Sequence, residues 1–325
     1  MREGRPAARV PRVRPSLLLV VLALGCSSAS KRSPFVESAP PAATSSSSSS
    51  SSSGGFEASD GDSSEGGGED CSEASKLVYV LSNTFDLLSF TPNTGTFVPI
   101  GHVDCGETTP NSMAVDRSGT AWVNYANGQV FKVSTADAKC EPTTYKANQG
   151  GFNRFGMAFA SDAAGGEAET LFVNGIGERA NGYGLAKIDL TTLKLSKIGE
   201  FSDALEGKNA ELTGRGDGKL FGFFKTQPNA TLAEIDKTTG ATSNVQELAG
   251  VSAGSAWAFS YWGGDFWFYT AGLGATTSTV TRLAVSGDGG LSTVKTNAAD
   301  IAKASGKFNI VGAGVSTCAP LSPPK

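Results

Sequence analysis

A chain of 325 residues with 27 Lys and Arg set against 31 Asp and Glu has a net charge near −4, which leaves no basic footprint for nucleic acid. Its single histidine, His102, excludes multi-histidine metal centres.

The chain opens with a processing segment over residues 1–25. Arg2, Arg5, Arg9, Arg12 and Arg14 form a basic head, and residues 17–24 form a short apolar stretch. That stretch is too short to cross about 30 Å of hydrocarbon. It ends Leu22-Ala23-Leu24-Gly25-Cys26, which resembles the lipobox of bacterial lipoproteins, although Ala23 stands where that family prefers Leu. The resemblance implies that Cys26 carries a lipid and anchors the chain to a membrane. Ser27 after it implies the outer membrane.

Residues 26–71 then collapse to Ser, Ala, Pro, Gly and acids, with unbroken serine over 45–53. So little apolar surface cannot offset the entropy of ordering, and a flexible linker spanning roughly 35–40 Å is expected. Asp60-Gly61-Asp62-Ser63-Ser64-Glu65 hints at a calcium loop, but Glu65 stands where that loop needs Gly and Cys71 where it needs Glu.

From residue 72 to 320 one phrase repeats. Its clearest copies are Leu88-Ser89-Phe90, Phe131-Lys132-Val133, Ala186-Lys187-Ile188, Ala233-Glu234-Ile235 and Thr281-Arg282-Leu283, spaced roughly 43 to 55 residues apart. Each unit reads as four short strands. First strands are predicted at 112–115, 156–159, 211–214, 256–260 and 311–315, and second strands at 77–81, 121–125, 171–173, 220–224 and 266–269. The quoted triplets are third strands. Fourth strands, the most polar, are predicted at 96–100, 141–145, 194–198, 242–248 and 291–294. Pro99 and Pro142 fall in fourth strands, and an outer edge is where a missing ladder donor is tolerated. Radial repetition of four-stranded units makes a β-propeller, with five blades expected and a sandwich or a different blade count as alternatives. The repeat starts out of phase, so the C-terminal strand should complete the blade begun at Leu77. Residues 321–325 remain as a tail.

Apart from Cys26, the cysteines are Cys71, Cys105, Cys140 and Cys318. An even number in an exported chain suggests two disulfides, with three connectivities. The out-of-phase repeat favours Cys71–Cys318 as a lock on the ring closure, which leaves Cys105–Cys140.

The segment Pro110-Asn111-Ser112-Met113-Ala114-Val115-Asp116-Arg117-Ser118-Gly119-Thr120-Ala121-Trp122-Val123 resembles the repeat phrase of NHL-type and sugar-lactonase-like propellers. The whole chain looks like exported bacterial lipoproteins that carry such domains. In lactonase-like propellers a metal is held by Glu, Asn and Asp. The resemblance makes Asn111, Asn153, Asn209 and Glu211 the corresponding candidates, and the carbonyls of Asn side chains suit a hard cation such as calcium, but no Asp at the matching positions supplies the acid/base.

The residues themselves carry no catalytic signature and call for no cofactor. His102 has no nucleophile elbow to serve. Gly175-Ile176-Gly177 lacks a βαβ setting, since Ala180 follows. Arg215-Gly216-Asp217 spells an adhesion tripeptide at a place where a hairpin turn is expected. One rim draws more interest. Its long loops contain Asn83, Asn127, Asn174, Asn181 and Asn229, and Asn111, Asn153, Asn209 and Asn309 precede four of the first strands, with Ser255 before the fifth. Ligand sites gather where loops are long. The candidate rim set is Asn111, Asn153, Arg154, Asn209, Glu211, Trp257 and Asn309; alternatively, each Asn satisfies backbone groups at its own turn. The fifth unit is rich in aromatics, from Trp257 to Tyr269, which suits blade packing or sugar stacking. Only Trp262 is expected to be exposed. The expected function is a monomeric, lipid-anchored binding module for a protein or carbohydrate. The alternatives are a metal-dependent hydrolase of the lactonase type and a structural envelope protein without a ligand.

Overall fold

The computed structural model describes residues 71–107, 109–176, 184–285 and 289–324. The processing segment, Cys26, Ser27, the linker to residue 70, Gly177, Ala180 and Asn181 lie outside these described residues.

In chain order the strands are β1 (Val78–Ser82), β2 (Asp86–Thr91), β3 (Thr96–His102), β4 (Pro110–Val115), β5 (Thr120–Tyr125), β6 (Val130–Ser134) and β7 (Cys140–Pro142). The chain continues through β8 (Arg154–Ser161), β9 (Glu169–Ile176), β10 (Leu185–Ile188), β11 (Leu195–Gly199), β12 (Ala210–Gly214), β13 (Leu220–Phe224), β14 (Thr231–Ile235) and β15 (Thr242–Glu247). The last blade holds β16 (Ala256–Trp262), β17 (Asp265–Ala271), β18 (Thr279–Leu283) and β19 (Leu291–Val294), and helix α1 (Ala298–Ser305) leads to β20 (Ile310–Gly314).

These strands form five antiparallel four-stranded sheets. The first sheet has the order β20-β1-β2-β3, so the last strand of the chain is the inner strand of blade one. The protein is a five-bladed β-propeller closed by its C-terminal strand, as the repeat phase predicts. The ring closure is registered by Val80 opposite Ala313 and Leu81 opposite Gly312. Cys71 and Cys318 are bonded with Cα atoms 5.8 Å apart, and Cys105 and Cys140 with Cα atoms 5.4 Å apart. The first bond spans a sequence separation of 247, for which the chain-entropy argument gives about 5 kcal/mol.

The core is divided among the blade junctions. Val80, Phe90, Trp267 and Tyr269 pack between blades five and one, and Leu81, Met113 and Val123 between one and two. Trp122, Phe155 and Phe159 fill the next junction, Ala158, Leu212 and Phe224 the one after. Phe221, Phe223, Phe259, Phe266 and Phe268 fill the last. Because each sheet is covered on both faces, second and third strands are apolar at most positions instead of alternating. Each buried Val, Leu, Met or Phe contributes roughly 1.5–3 kcal/mol, and every junction holds its blades by several such side chains. A five-blade ring draws its inner strands close together. A Cβ on Gly156 of β8 would lie 2.2 Å from the Ala210 carbonyl oxygen of β12, and one on Gly214 would lie 2.0 Å from that of Phe159.

Three details depart from the sequence reading. The fourth strand of blade two is only Cys140–Pro142, because the proline ends the ladder and Tyr145 turns inward to a buried position. Trp262 is buried, its indole N–H donating to the Lys76 carbonyl at 2.8 Å; the turn after it is tight, yet the ring folds back over the entering chain. Helix α1 was not anticipated. It is alanine-rich, buries Ala298 and Ala302, pairs Asp300 with Lys303 and ends at Gly306 with φ 83, a left-handed stop that glycine adopts without strain.

Candidate functional site

First strands run from one rim, here the upper, towards the other. The upper rim therefore carries the connections from fourth to first strands and from second to third. The lower rim carries Cys71 and Cys318, near the two ends of the described domain.

Asparagine on the upper rim serves chiefly to join blades. Asn124, on β5 of blade two, accepts the Phe155 N–H of blade three at 3.1 Å. Asn174, on β9, accepts the Ala210 N–H of blade four at 2.7 Å and donates to the Gly184 carbonyl at 2.7 Å. Ser278 accepts the Ile310 N–H of blade one at 2.9 Å. The three N–H groups all stand at the start of an inner strand of the next blade, where each bond gives a backbone donor a partner.

The predicted rim residues enter this scheme unequally. Asn111 donates to Asn124 Oδ1 and to the Phe155 carbonyl, both at 3.0 Å. Asn153 donates to the Ala126 carbonyl at 3.2 Å. Asn309 donates from its side chain to the Ala275 carbonyl at 3.0 Å and from its backbone to Asn83 Oδ1 at 3.2 Å. Asn229 links Glu247 and the Gly250 N–H, and Asn127 links Glu107 and the Gln129 N–H. Glu211 lies deep in the ring. Its carboxyl accepts from Ser112 Oγ at 2.6 Å, a contact between blades two and four that passes the bare backbone of Gly156 in blade three. Burial pushes this carboxyl well above its ordinary pKa.

Arg154 and Trp257 remain half-buried at the upper mouth. Trp257 carries Lys225 Nζ 4.5 Å from its ring centroid, while its indole N–H is buried without an acceptor. Lys225 was not among the predicted residues. Its only sequence signal is position, immediately after the second strand of blade four, much as Asn174 lies near the end of that of blade three.

The carboxylates that a calcium site of the lactonase kind draws on are scarce at this rim. Among the described residues no three His, Cys, Asp or Glu side chains cluster as metal ligands. Glu211 is the only carboxylate on any inner strand, and burial raises its pKa, which disfavours the anionic form a cation would take. The side-chain N–H groups of Asn111 and Asn153 donate to backbone carbonyls, while a cation would take their amide oxygens.

The lower rim is built differently. After β20 the chain crosses the lower mouth. Thr317 Oγ1 donates to Glu169 at 2.8 Å, and the Arg117 N–H donates to the other Glu169 oxygen at 2.8 Å. Gly216 of blade four abuts the Thr317 carbonyl so closely that a Cβ would stand 2.3 Å from it. Further on, the Gly263 N–H donates to Pro320 at 2.8 Å and the Tyr261 hydroxyl to Leu321 at 3.1 Å. Burial raises Glu169 to about 7. The tripeptide Arg215-Gly216-Asp217 lies on this rim as the expected turn, with the Gly218 N–H donating to the Arg215 carbonyl at 3.1 Å. Its arginine is buried over the Tyr261 ring at 4.3 Å and paired with Asp217, so it is not displayed for adhesion. His102 is a surface side chain beside Asp86 at 3.3 Å.

No family profile matches the chain, and no curated protein matches it. Among solved structures it is similar to the propeller of Dos1, with 12% identity over 69% of this chain and 56% of that one, at a TM-score of 0.38. A hydrazine synthase of Kuenenia stuttgartiensis aligns with 14% identity over 71% of this chain and 69% of that one, at 0.40. An auxiliary nutrient binding protein from Bacteroides thetaiotaomicron aligns with 11% identity over 67% and 54%, at 0.40. The chain thus spans little more than half the length of the first of these. The fold assignment rests on the strand order of the chain itself.

Proposed function

We propose that the propeller is a ligand-binding module of the cell envelope, held to the outer membrane by a lipid on Cys26 and engaging a protein or carbohydrate at its upper rim as a monomer. The observation that carries this reading is the asymmetry of the two mouths. The lower one is crossed by residues 316–321 and locked to Cys71, which fixes the first described residue on that side. The upper one presents Arg154, Trp257 and the glycine-flanked tip residue Leu273, which is 97% exposed. A tether attached below leaves the upper mouth free for a partner.

The rival reading is a metal-dependent hydrolase, with Asn111, Asn153, Asn209 and Glu211 as its ligands. A thermal-shift series on the purified protein separates the two. It uses calcium chloride and a panel of oligosaccharides and peptides. The binding module responds to a member of the panel without calcium, and Trp257→Ala removes the response. Calcium stabilisation that disappears in Asn153→Ala, together with lactone hydrolysis, would replace this reading with the rival.

A further inference from the structure

Blades three and four approach each other most closely beside Gly156 and Ala210. Two residues before Gly156 stands Arg154, and immediately before Ala210 stands Asn209. The Asn209 carbonyl accepts the Lys225 backbone N–H at 2.9 Å. The Lys225 side chain then reaches blade five, donating to the Gly254 carbonyl at 2.8 Å and covering Trp257. Arg154, Asn209, Lys225 and Trp257 therefore form one arc across three consecutive blades of the upper mouth.

The charge on this arc is uncompensated. Among the described residues, Arg154 makes no side-chain hydrogen bond or ion pair, and Lys225 is met only by a carbonyl and an aromatic face. Two other cations held over aromatic rings are matched, Arg215 by Asp217 and Arg282 by Asp265 at 2.6 Å, whereas Lys132 over Trp122 on the outer part of blade two makes no ion pair among the described residues. The one inner-strand acid, Glu211, bonds to Ser112 and to neither cation, and burial disfavours its charged form. Partial burial lowers the Lys225 pKa with no acid opposing it. A half-buried cation without a counter-charge is costly unless an anion completes it, and a guanidinium is suited to take both oxygens of a carboxylate.

We infer that this arc is an anion subsite that receives a carboxylate of the ligand, with Arg154 holding its two oxygens, Lys225 adding a point charge and Trp257 forming the wall. The inference rests on the upper-rim reading and narrows it to acidic ligands. The carboxylate belongs either to a sugar acid or to a peptide end, and matched probes distinguish these sources.

Calorimetry on the purified protein compares glucuronate with glucose, and acetyl-dialanine with its amide. The expected result is that at least one acid binds roughly tenfold or more tightly than its neutral partner and weakens with added salt. Arg154→Gln and Lys225→Gln each remove that preference, while Lys303→Gln on the exposed helix α1 leaves it intact. The Trp257 indole N–H resonance shifts on titration with the acid. Equal affinity for acid and neutral partner overturns the subsite while leaving an upper-rim binding module standing. A preference for the acid that survives both arc variants places the anion elsewhere and overturns it as well. No binding of any of the four probes, with an unmoved indole signal, also overturns it.

Discussion

The two rims of this propeller solve opposite problems with the same backbone. On the lower rim both ends of the described domain must be held, and the groups that hold them are paired. Cys71 is bonded to Cys318, Arg215 is stacked and paired, and both Glu169 oxygens accept hydrogen bonds. On the upper rim neutral asparagines join the blades, while the cations Arg154 and Lys225 are left without acids. The difference teaches that polar residues alone do not mark a site in this fold. Residue types that looked functional by recurrence turn out to be occupied by backbone, and the unmatched charges beside them stand out only once those bonds are counted.

The largest effect should come from breaking the lower rim outright. Ending the chain at Lys307 removes β20, exposes the β1 edge and strips Ile310, Ala313 and Val315 from the junction between blades five and one. No cooperative melting transition is expected by calorimetry or circular dichroism. A sharp transition near that of the intact protein would mean that the ring does not depend on its terminal strand.

Much of this architecture is legible in the sequence because propeller blades depend on local pattern. The triplets from Leu88-Ser89-Phe90 to Thr281-Arg282-Leu283 all fall within third strands, and the out-of-phase start correctly implies both the closing strand and the Cys71–Cys318 bond. What is not legible depends on contacts between distant segments. Trp262 is buried by Lys76, far away in sequence, and Ser112 meets Glu211 only because the ring brings blades two and four together. For the candidate site, Arg154 and Trp257 could be placed on the correct rim from strand order. Lys225 could not be joined to them, because its link runs through the Asn209 backbone and nothing about its neighbours in sequence advertises that.

The second effect sharpens the contrast through pH. Glu169 has a folded-state pKa of about 7 against a reference of 4.5, so the folded protein holds this proton more tightly than the unfolded chain does. Its contribution to stability is fully present below about pH 4.5 and is lost as pH rises through 7. The linkage amounts to about 3 kcal/mol at most. Glu211 shifts in the same direction for the same reason, burial. Glu169→Gln cannot ionise and should flatten the fall in urea midpoint between pH 5 and pH 8. An unchanged slope in that variant would show that the clasp carboxyl is solvated and that the lower rim is looser than its hydrogen bonds indicate.

The smallest effect tests whether upper-rim asparagines are joints between blades. Asn174 is fully buried and satisfies two backbone groups, the Ala210 N–H and the Gly184 carbonyl. Asn174→Ala leaves both orphaned and should cost about 2 kcal/mol, since an unmatched buried group forfeits its hydration as well as its bond. Asn229 also makes two hydrogen bonds, but its bond to Glu247 lies at the exposed surface. Water replaces those partners, so Asn229→Ala should cost well under about 1 kcal/mol. The two variants share residue type, rim and number of bonds, and differ in burial and in whether a bond crosses to the next blade. If chemical denaturation gave them equal costs, recurrence of asparagine on this rim would have to be explained by something other than joining blades. The unmatched cations would then lose the contrast that singles them out.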